Sequence, residues 1–194
     1  MCAALVNRPA AADGRLPRSF YARPTVKVAR DLLGKVIRHG GVSARIVETE
    51  AYLGSGDAAA HSARGPTPRT KVIFGPPGHA YVYLIYGMHY CLNIVAEPEG
   101  VAGCVLIRAV EPMNAAPGMA LSSNGPGKLT RALGITLNHY GTDLTRGPIT
   151  LHDSPDQESF KIGTSPRIGI SQAADLPLRF FIRGNRFVSR EPRR

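Results

Sequence analysis

Glu48 and Glu50 stand two positions apart in Ile46-Val-Glu-Thr-Glu-Ala-Tyr-Leu53, and the next stretch of chain adds Asp57 and His61. In a regular strand over residues 44 to 52 the side chains alternate. Ile46, Glu48, Glu50 and Tyr52 then share one face, and Val47, Thr49 and Ala51 take the other. Two carboxylates about 7 Å apart at that spacing disfavour double ionisation, so one of them holds a proton, or serves as a base, at a higher pH than usual. A solvated strand face is the competing reading, because charged side chains are mostly exposed. This segment alone leaves both open.

Other residues raise the same kind of question. Tyr81-Val-Tyr-Leu-Ile-Tyr86 and His89-Tyr-Cys-Leu-Asn-Ile-Val95 read as a hairpin joined through Gly87-Met88. Tyr81 and Tyr83 share a face, either within a core aromatic cluster or as rings that receive a ligand. Tyr86 falls at the tip, where an exposed aromatic on a basic protein suits wedging between base pairs. Asn93 sits in an otherwise apolar strand, and its amide needs partners, whether a base edge or the backbone. Arg108 in Val105-Leu-Ile-Arg-Ala-Val110 needs an anion, which Glu48, Glu50 or a phosphate can supply; a purely structural ion pair is equally open. Gly125-Pro-Gly-Lys128 is not a Walker loop, since Ser122 and Leu129 stand where that pattern wants Gly and Ser or Thr. What remains is a Gly-rich lead into a helix, with Lys128 and Arg131 near its start, suited to one backbone phosphate. The histidines lack HExxH spacing, and Asp57 with His61 is a weak i, i+4 pair, so no metal is expected. Cys2, Cys91 and Cys104 fit neither a zinc pattern nor a disulfide framework, which points to an intracellular protein.

A scaffold must position these groups, and 194 residues at 43% hydrophobic content suffice for one domain with a sizeable core. Thr25 reads as the N-cap of a helix over Val26 to Leu33 that stops at Gly34. Val36-Ile37 and 43–53 flank His39-Gly-Gly41 as a hairpin, and Asp57 reads as the cap of a short helix carrying His61. Residues 102–110 read as a strand, 113–124 as a surface loop and 125–134 as the entry to a helix. Further strands are expected at 149–152, 168–170 and 178–182, with Gly184-Asn185 turning into 186–188. Strands clustered in hairpins with few helices between them predict an α+β fold: one compact domain on a curved, mainly antiparallel sheet. The boundaries expected are a mobile tail over 1–17, the domain over 18–190 and a basic end over 191–194. The apolar run Ala3 to Val6 is too short for a signal peptide or a membrane span.

The net charge is +10, carried mostly by arginine, and its natural partner is a polyanion. With no Ser-His or Cys-His nucleophile in view, the surviving chemistry is carboxylate-driven hydrolysis beside aromatic rings on such a surface. Cleavage of an N-glycosidic bond fits: a carboxylate activates water and opposes the developing positive charge, while aromatic faces hold a flipped base.

On these residues the chain resembles the alkyladenine, or 3-methyladenine, DNA glycosylases of base excision repair. The likeness runs from about Phe20 to Val188. It is carried by Val47-Glu-Thr-Glu-Ala-Tyr-Leu-Gly54, Ala59-Ala-His-Ser62, Tyr81-Val-Tyr-Leu-Ile-Tyr-Gly-Met88, Asn93-Ile94, Val105-Leu-Ile-Arg-Ala109, Gly125-Pro-Gly-Lys-Leu129 and Leu178-Arg-Phe180. The resemblance implies a monofunctional, cofactor-free enzyme that flips alkylated or deaminated purines from double-stranded DNA and leaves an abasic site, without lyase activity. The lesions implied are of the 3-methyladenine, 7-methylguanine, hypoxanthine and ethenoadenine class. It makes Glu50 the general base, with Arg108 and the Ile168 carbonyl positioning water and Glu48 in support. Tyr52 and His61 become the walls that stack on the base, Tyr83 closes the pocket edge, and Asn93 opposes the amino group of normal guanine. Tyr86 becomes the intercalating wedge. Met88, His89, Lys128 and Arg69 become DNA-contact positions, although His89 departs from the aromatic common at that place. The protein is then expected to be a DNA-associated monomer with no membrane partner. A basic nucleic-acid-binding module without catalysis explains the charge but not the two acids; a carbohydrate hydrolase explains the acids but not the charge.

Overall fold

The computed structural model describes residues 13–114, 123–154 and 159–189. Along the chain come α1 (Arg18–Tyr21), α2 (Thr25–Asp31), β1 (Val36–His39), β2 (Val42–Tyr52), β3 (Ala80–Ile85) and β4 (His89–Val95). They are followed by β5 (Cys104–Pro112), α3 (Pro126–Ala132), β6 (Thr150–His152), β7 (Ile162–Ser165) and β8 (Arg179–Ile182). All eight strands join one sheet, ordered β3-β4-β5-β2-β1-β6, with β8 paired to β2 and β7 to β8. Every strand pair is antiparallel, and the sheet curls around a core, so the expected α+β architecture holds.

Strand β2 is the hinge of this arrangement. One edge runs along β5; the other pairs with β1 over Val42–Arg45 and then with β8 over Glu48–Glu50. The two acids therefore lie where the strand is enclosed on both sides. Simple alternation fails just before them: the β2–β5 register shifts between Ile46 and Glu48 and again between Glu48 and Thr49, leaving Val47 and Arg108 as the extra residues of two bulges. A bulge reverses parity, so Ala44 and Ile46 face the core before it, and Val47 and Ala51 face the core after it. Ile46, expected beside the glutamates, is on the opposite face. Glu48, Glu50 and Tyr52 remain together.

Helix α2 covers the core face. Its Val28 and Ala29, with Leu32 just beyond, pack among Ile37, Ile46, Ile107 and Val110, all nearly inaccessible to solvent. Burying a valine, leucine or isoleucine side chain in this way contributes about 1.5–3 kcal/mol. Thr49 donates its hydroxyl to the Ala29 carbonyl at 2.8 Å, tying β2 to that helix. Thr25 is the first helical residue rather than a cap; Glu97 accepts from its amide at 2.6 Å and from its hydroxyl at 2.8 Å, serving the orphan donors that a cap would have met.

Other expectations need correction. Leu16 is buried and its amide donates to the Leu151 carbonyl, while Arg15 bridges His152, so residues 13–17 belong to the domain rather than to a tail. Residues 1–12 of that tail, 115–122 of the surface loop and 191–194 lie outside the described residues. Asp57 caps successive turns, not a helix. Residues 168–170 and 186–188 are irregular, and the strand in that part of the chain is β7, whose single large apolar residue hid it. Gly163 in β7 has a physical reason: a Cβ there would fall 2.3 Å from the Phe181 ring of β8.

Candidate active site

The bulged crossing of β2 and β5 gathers buried charge. Arg108 donates from Nε to Glu48 at 3.0 Å and places Nη1 3.3 Å from Glu50 Oε1. Glu48 also accepts from Arg179 Nε at 2.7 Å, from the Ser189 amide at 2.7 Å and from the Ser189 hydroxyl at 2.8 Å. Both glutamates have 0% exposure, so the solvated-face reading is excluded. Charges this deep persist only when hydrogen bonds replace water, and Glu48 is enclosed by donors.

Glu50 is held differently. Its Oε1 accepts the Ile168 amide at 2.8 Å, and its Oε2 accepts the Tyr52 hydroxyl at 3.0 Å. Burial pushes its carboxyl up. Arg108, the Ile168 amide and the Tyr52 hydroxyl pull it back, Glu48 pushes it up again, and the net value lies above the ordinary 4.5. Ile168 thus contacts the carboxylate through its N–H, a role separate from the water-positioning carbonyl that the resemblance implies. Burial and the Glu50 carboxylate together raise the Tyr52 phenol, so that side chain stays a donor.

Above this centre opens a cavity of about 850 Å³. Tyr52, His61, Tyr83, Tyr86, His89, Asn93, Arg108, Lys128 and Ile168 all line it, which brings most of the sequence-derived candidates together. Glu50 is not itself in the lining but contacts three residues that are, Tyr52, Arg108 and Ile168. The rings form a connected set: His61 stands edge-on to Tyr83 at 4.7 Å and holds the Tyr81 hydroxyl at 2.9 Å. Tyr81 answers both of its open readings, since it is buried at 1% exposure yet reaches the cavity. Burial, and then the Arg69 cation, depress the His61 imidazole below its usual range and favour the neutral ring. Asn93 likewise does two things: its amide donates to the Tyr81 carbonyl at 3.1 Å, its oxygen takes the Cys104 thiol at 4.0 Å, and the side chain still lines the cavity.

At the mouth, Tyr86 and Met88 project from the β3–β4 tip at 80% and 70% exposure. Tyr86 and Gly87 both have left-handed backbone, with φ of 52° and 67°. Glycine accepts that conformation freely; tyrosine does not. His89 packs against α3, where a Cβ on Gly127 would lie 2.9 Å from its side chain. Lys128 is exposed and donates to Asn124 at 2.8 Å. Arg69 lies over the Tyr83 ring at 5.0 Å, outside the cavity lining, as does Met88.

Four residues that complete the site were not read from the sequence in these roles. Arg179 and Ser189 enclose Glu48. Arg167 grips Asp57 with both terminal nitrogens at 2.6 and 2.8 Å, so Asp57 partners a guanidinium rather than His61. Asp57 also accepts the Leu53 and Ala59 amides; burial raises its carboxyl, but Arg167 and these amides outweigh that and leave it lowered. The only sequence signal for Arg167 was an arginine beside an apolar Ile168, which has no fixed meaning. Among the described residues no three His, Cys, Asp or Glu side chains converge to hold a metal, and no helix is long and apolar enough to cross a membrane.

A curled antiparallel sheet, a cavity of about 850 Å³ beside buried acids and a strongly basic chain suit a hydrolase with a polyanionic substrate, and the family match makes it a hydrolase of N-glycosyl bonds. Residues 19–186 match the family described as methylpurine-DNA glycosylase, and the chain belongs to that family. A relative from Methanoculleus marisnigri is 50% identical over 191 residues, covering 90% of this chain and 98% of its own. A second from Chlorobaculum tepidum is 50% identical over 191 residues, covering 91% of each. Both carry the name "Putative 3-methyladenine DNA glycosylase". The protein is accordingly an enzyme of DNA repair whose substrate is DNA.

Proposed function

We propose that the protein is a monofunctional glycosylase that flips damaged purines out of duplex DNA and hydrolyses them with water activated by Glu50. The observation that carries this reading is the environment of Glu50: a buried carboxylate of raised pKa, aligned by Ile168, Tyr52 and Arg108 directly under an aromatic cavity. Arg108 belongs both to that centre and to the lining, so the attacking water enters beside it. Water adds to C1′ as the bond to the base nitrogen breaks; the bond electrons leave with the base, and the water proton passes to Glu50. The carboxylate also opposes the positive charge that develops on the sugar.

In this reading Tyr52 and His61 stack on the base, Tyr83 bounds it and Asn93 meets the guanine amino group, while Tyr86 fills the space left in the duplex. Met88, His89, Lys128 and Arg69 lie on the face that receives DNA. The lesions taken are methylated, deaminated and etheno purines. Lys128, which is in the cavity lining, is exposed and donates to Asn124, and no imine is assigned to it, so the product in this reading is an intact strand with an abasic site. Single-turnover release from a duplex bearing one hypoxanthine tests the mechanism. The unmodified protein should release it, and Glu50→Gln should be slower by about 10²- to 10⁴-fold, the range of general-base catalysis. Full activity in Glu50→Gln, or an inert wild type, sinks the proposal.

A further inference from the structure

Tyr52 lines the cavity, and one face of its ring is already taken. The Arg167 guanidinium lies 4.6 Å from the ring centroid, yet Arg167 is absent from the cavity lining. Its side chain is fully buried. It is fixed by Asp57, by the Ala51 carbonyl at 3.0 Å and by the Ala173 carbonyl at 3.3 Å. The cation therefore cannot swing away when the opposite face of the ring is covered. Arg69 also lies over a ring, that of Tyr83, but it is exposed.

We propose that Arg167 is a specificity-determining residue that biases the pocket toward uncharged purine lesions over cationic ones. The inference rests on the reading of Tyr52 as a stacking wall. A ring attracts a cation through the negative face of its quadrupole. A guanidinium fixed on the rear face draws that density toward itself, so a cationic base such as 7-methylguanine gains less from the front face than it would from a free tyrosine. An uncharged base such as hypoxanthine stacks by dispersion and area, which the guanidinium leaves intact. Asp57 balances the charge of Arg167 at longer range and leaves this short-range effect on the ring in place.

The test measures binding, so that the ease with which a cationic base leaves does not enter. Duplexes carry one hypoxanthine or one 7-methylguanine on a 2′-fluoro sugar, which resists cleavage. The intact protein should bind the hypoxanthine duplex more tightly than the 7-methylguanine duplex. In Asp57→Asn/Arg167→Met, which leaves no buried charge unpaired, the preference should fall by about three- to tenfold, the scale of one cation–π contact. Arg167→Lys should retain part of it. A merely structural role weakens both duplexes alike and leaves their ratio unchanged, which overturns the proposal. Equal or tighter binding of the cationic duplex by the intact protein overturns it too, even where the variants do not fold. Failure of the underlying reading looks different: neither lesion is bound better than undamaged duplex, or Tyr52→Leu binds both as well as the intact protein.

Discussion

The floor of the cavity and the tip of the β3–β4 hairpin hold charge and strain in opposite ways. On the floor, Glu48, Glu50, Arg108 and Arg179 are dry and joined by hydrogen bonds from three strands and two loops. At the tip, Tyr86 and Met88 are bare and the backbone of Tyr86 is left-handed. Chemistry requires groups fixed before the substrate arrives; the wedge role proposed for Tyr86 requires instead an aromatic that nothing else holds. The floor thus couples function to stability, and the tip separates them.

That contrast can be broken by mutation. The largest stability effect should come from Glu48→Ala, which takes a buried carboxylate partner from both Arg108 and Arg179 and should cost about 3–5 kcal/mol in urea unfolding; a cost as small as a surface change would show that the floor is not a coupled unit. Tyr86→Gly should be close to neutral in the same experiment, within about 1 kcal/mol, because release of the left-handed strain offsets lost chain entropy. Yet it should slow base release from duplex by about tenfold or more, given the energy of unstacking, and much less from single-stranded DNA. Equal slowing on both substrates would remove the wedge. A subtler change is expected in Tyr52→Phe. As the acting base must be ionised, the rate should rise with pH through the Glu50 pKa, which already lies above 4.5. Loss of the Tyr52 hydroxyl removes a donor to the carboxylate, so this acid limb should move to higher pH; a shift to lower pH contradicts the assignment. The smallest effect should be that of Lys128→Ala, which should flatten the salt dependence of DNA binding by roughly one phosphate contact and leave the pH profile alone.

Much of this was legible in the sequence because it depends on local alternation and turn chemistry. The β3–β4 hairpin, the exposure of Tyr86 and the shared face of Glu48, Glu50 and Tyr52 all follow from a period of two and a glycine at the turn. The bulges at Val47 and Arg108 were not legible, since two strands must first be aligned before one residue becomes extra. For that reason Ile46 was placed on the wrong face while its neighbours were placed correctly. Arg167 and Asp57 lie 110 positions apart, and nothing local to either announces the other. Residues 168–170 looked like a strand by composition; Gly169, with φ of 77°, turns the chain there just after the Ile168 amide reaches Glu50.

The donors around Glu48 come from far along the chain: Arg108 is 60 positions on, Arg179 131 and Ser189 141. Synthesis proceeds from the N-terminus, so the glutamate leaves the ribosome long before the groups that will neutralise it. Until then β2 carries acids that disfavour burial, and its partner β8 is missing as well. Contacts of such separation also close slowly. The surroundings of Glu48 are therefore complete only once Arg179 and Ser189 have been made and have folded back onto β2, which places closure of the floor late in the assembly of the fold.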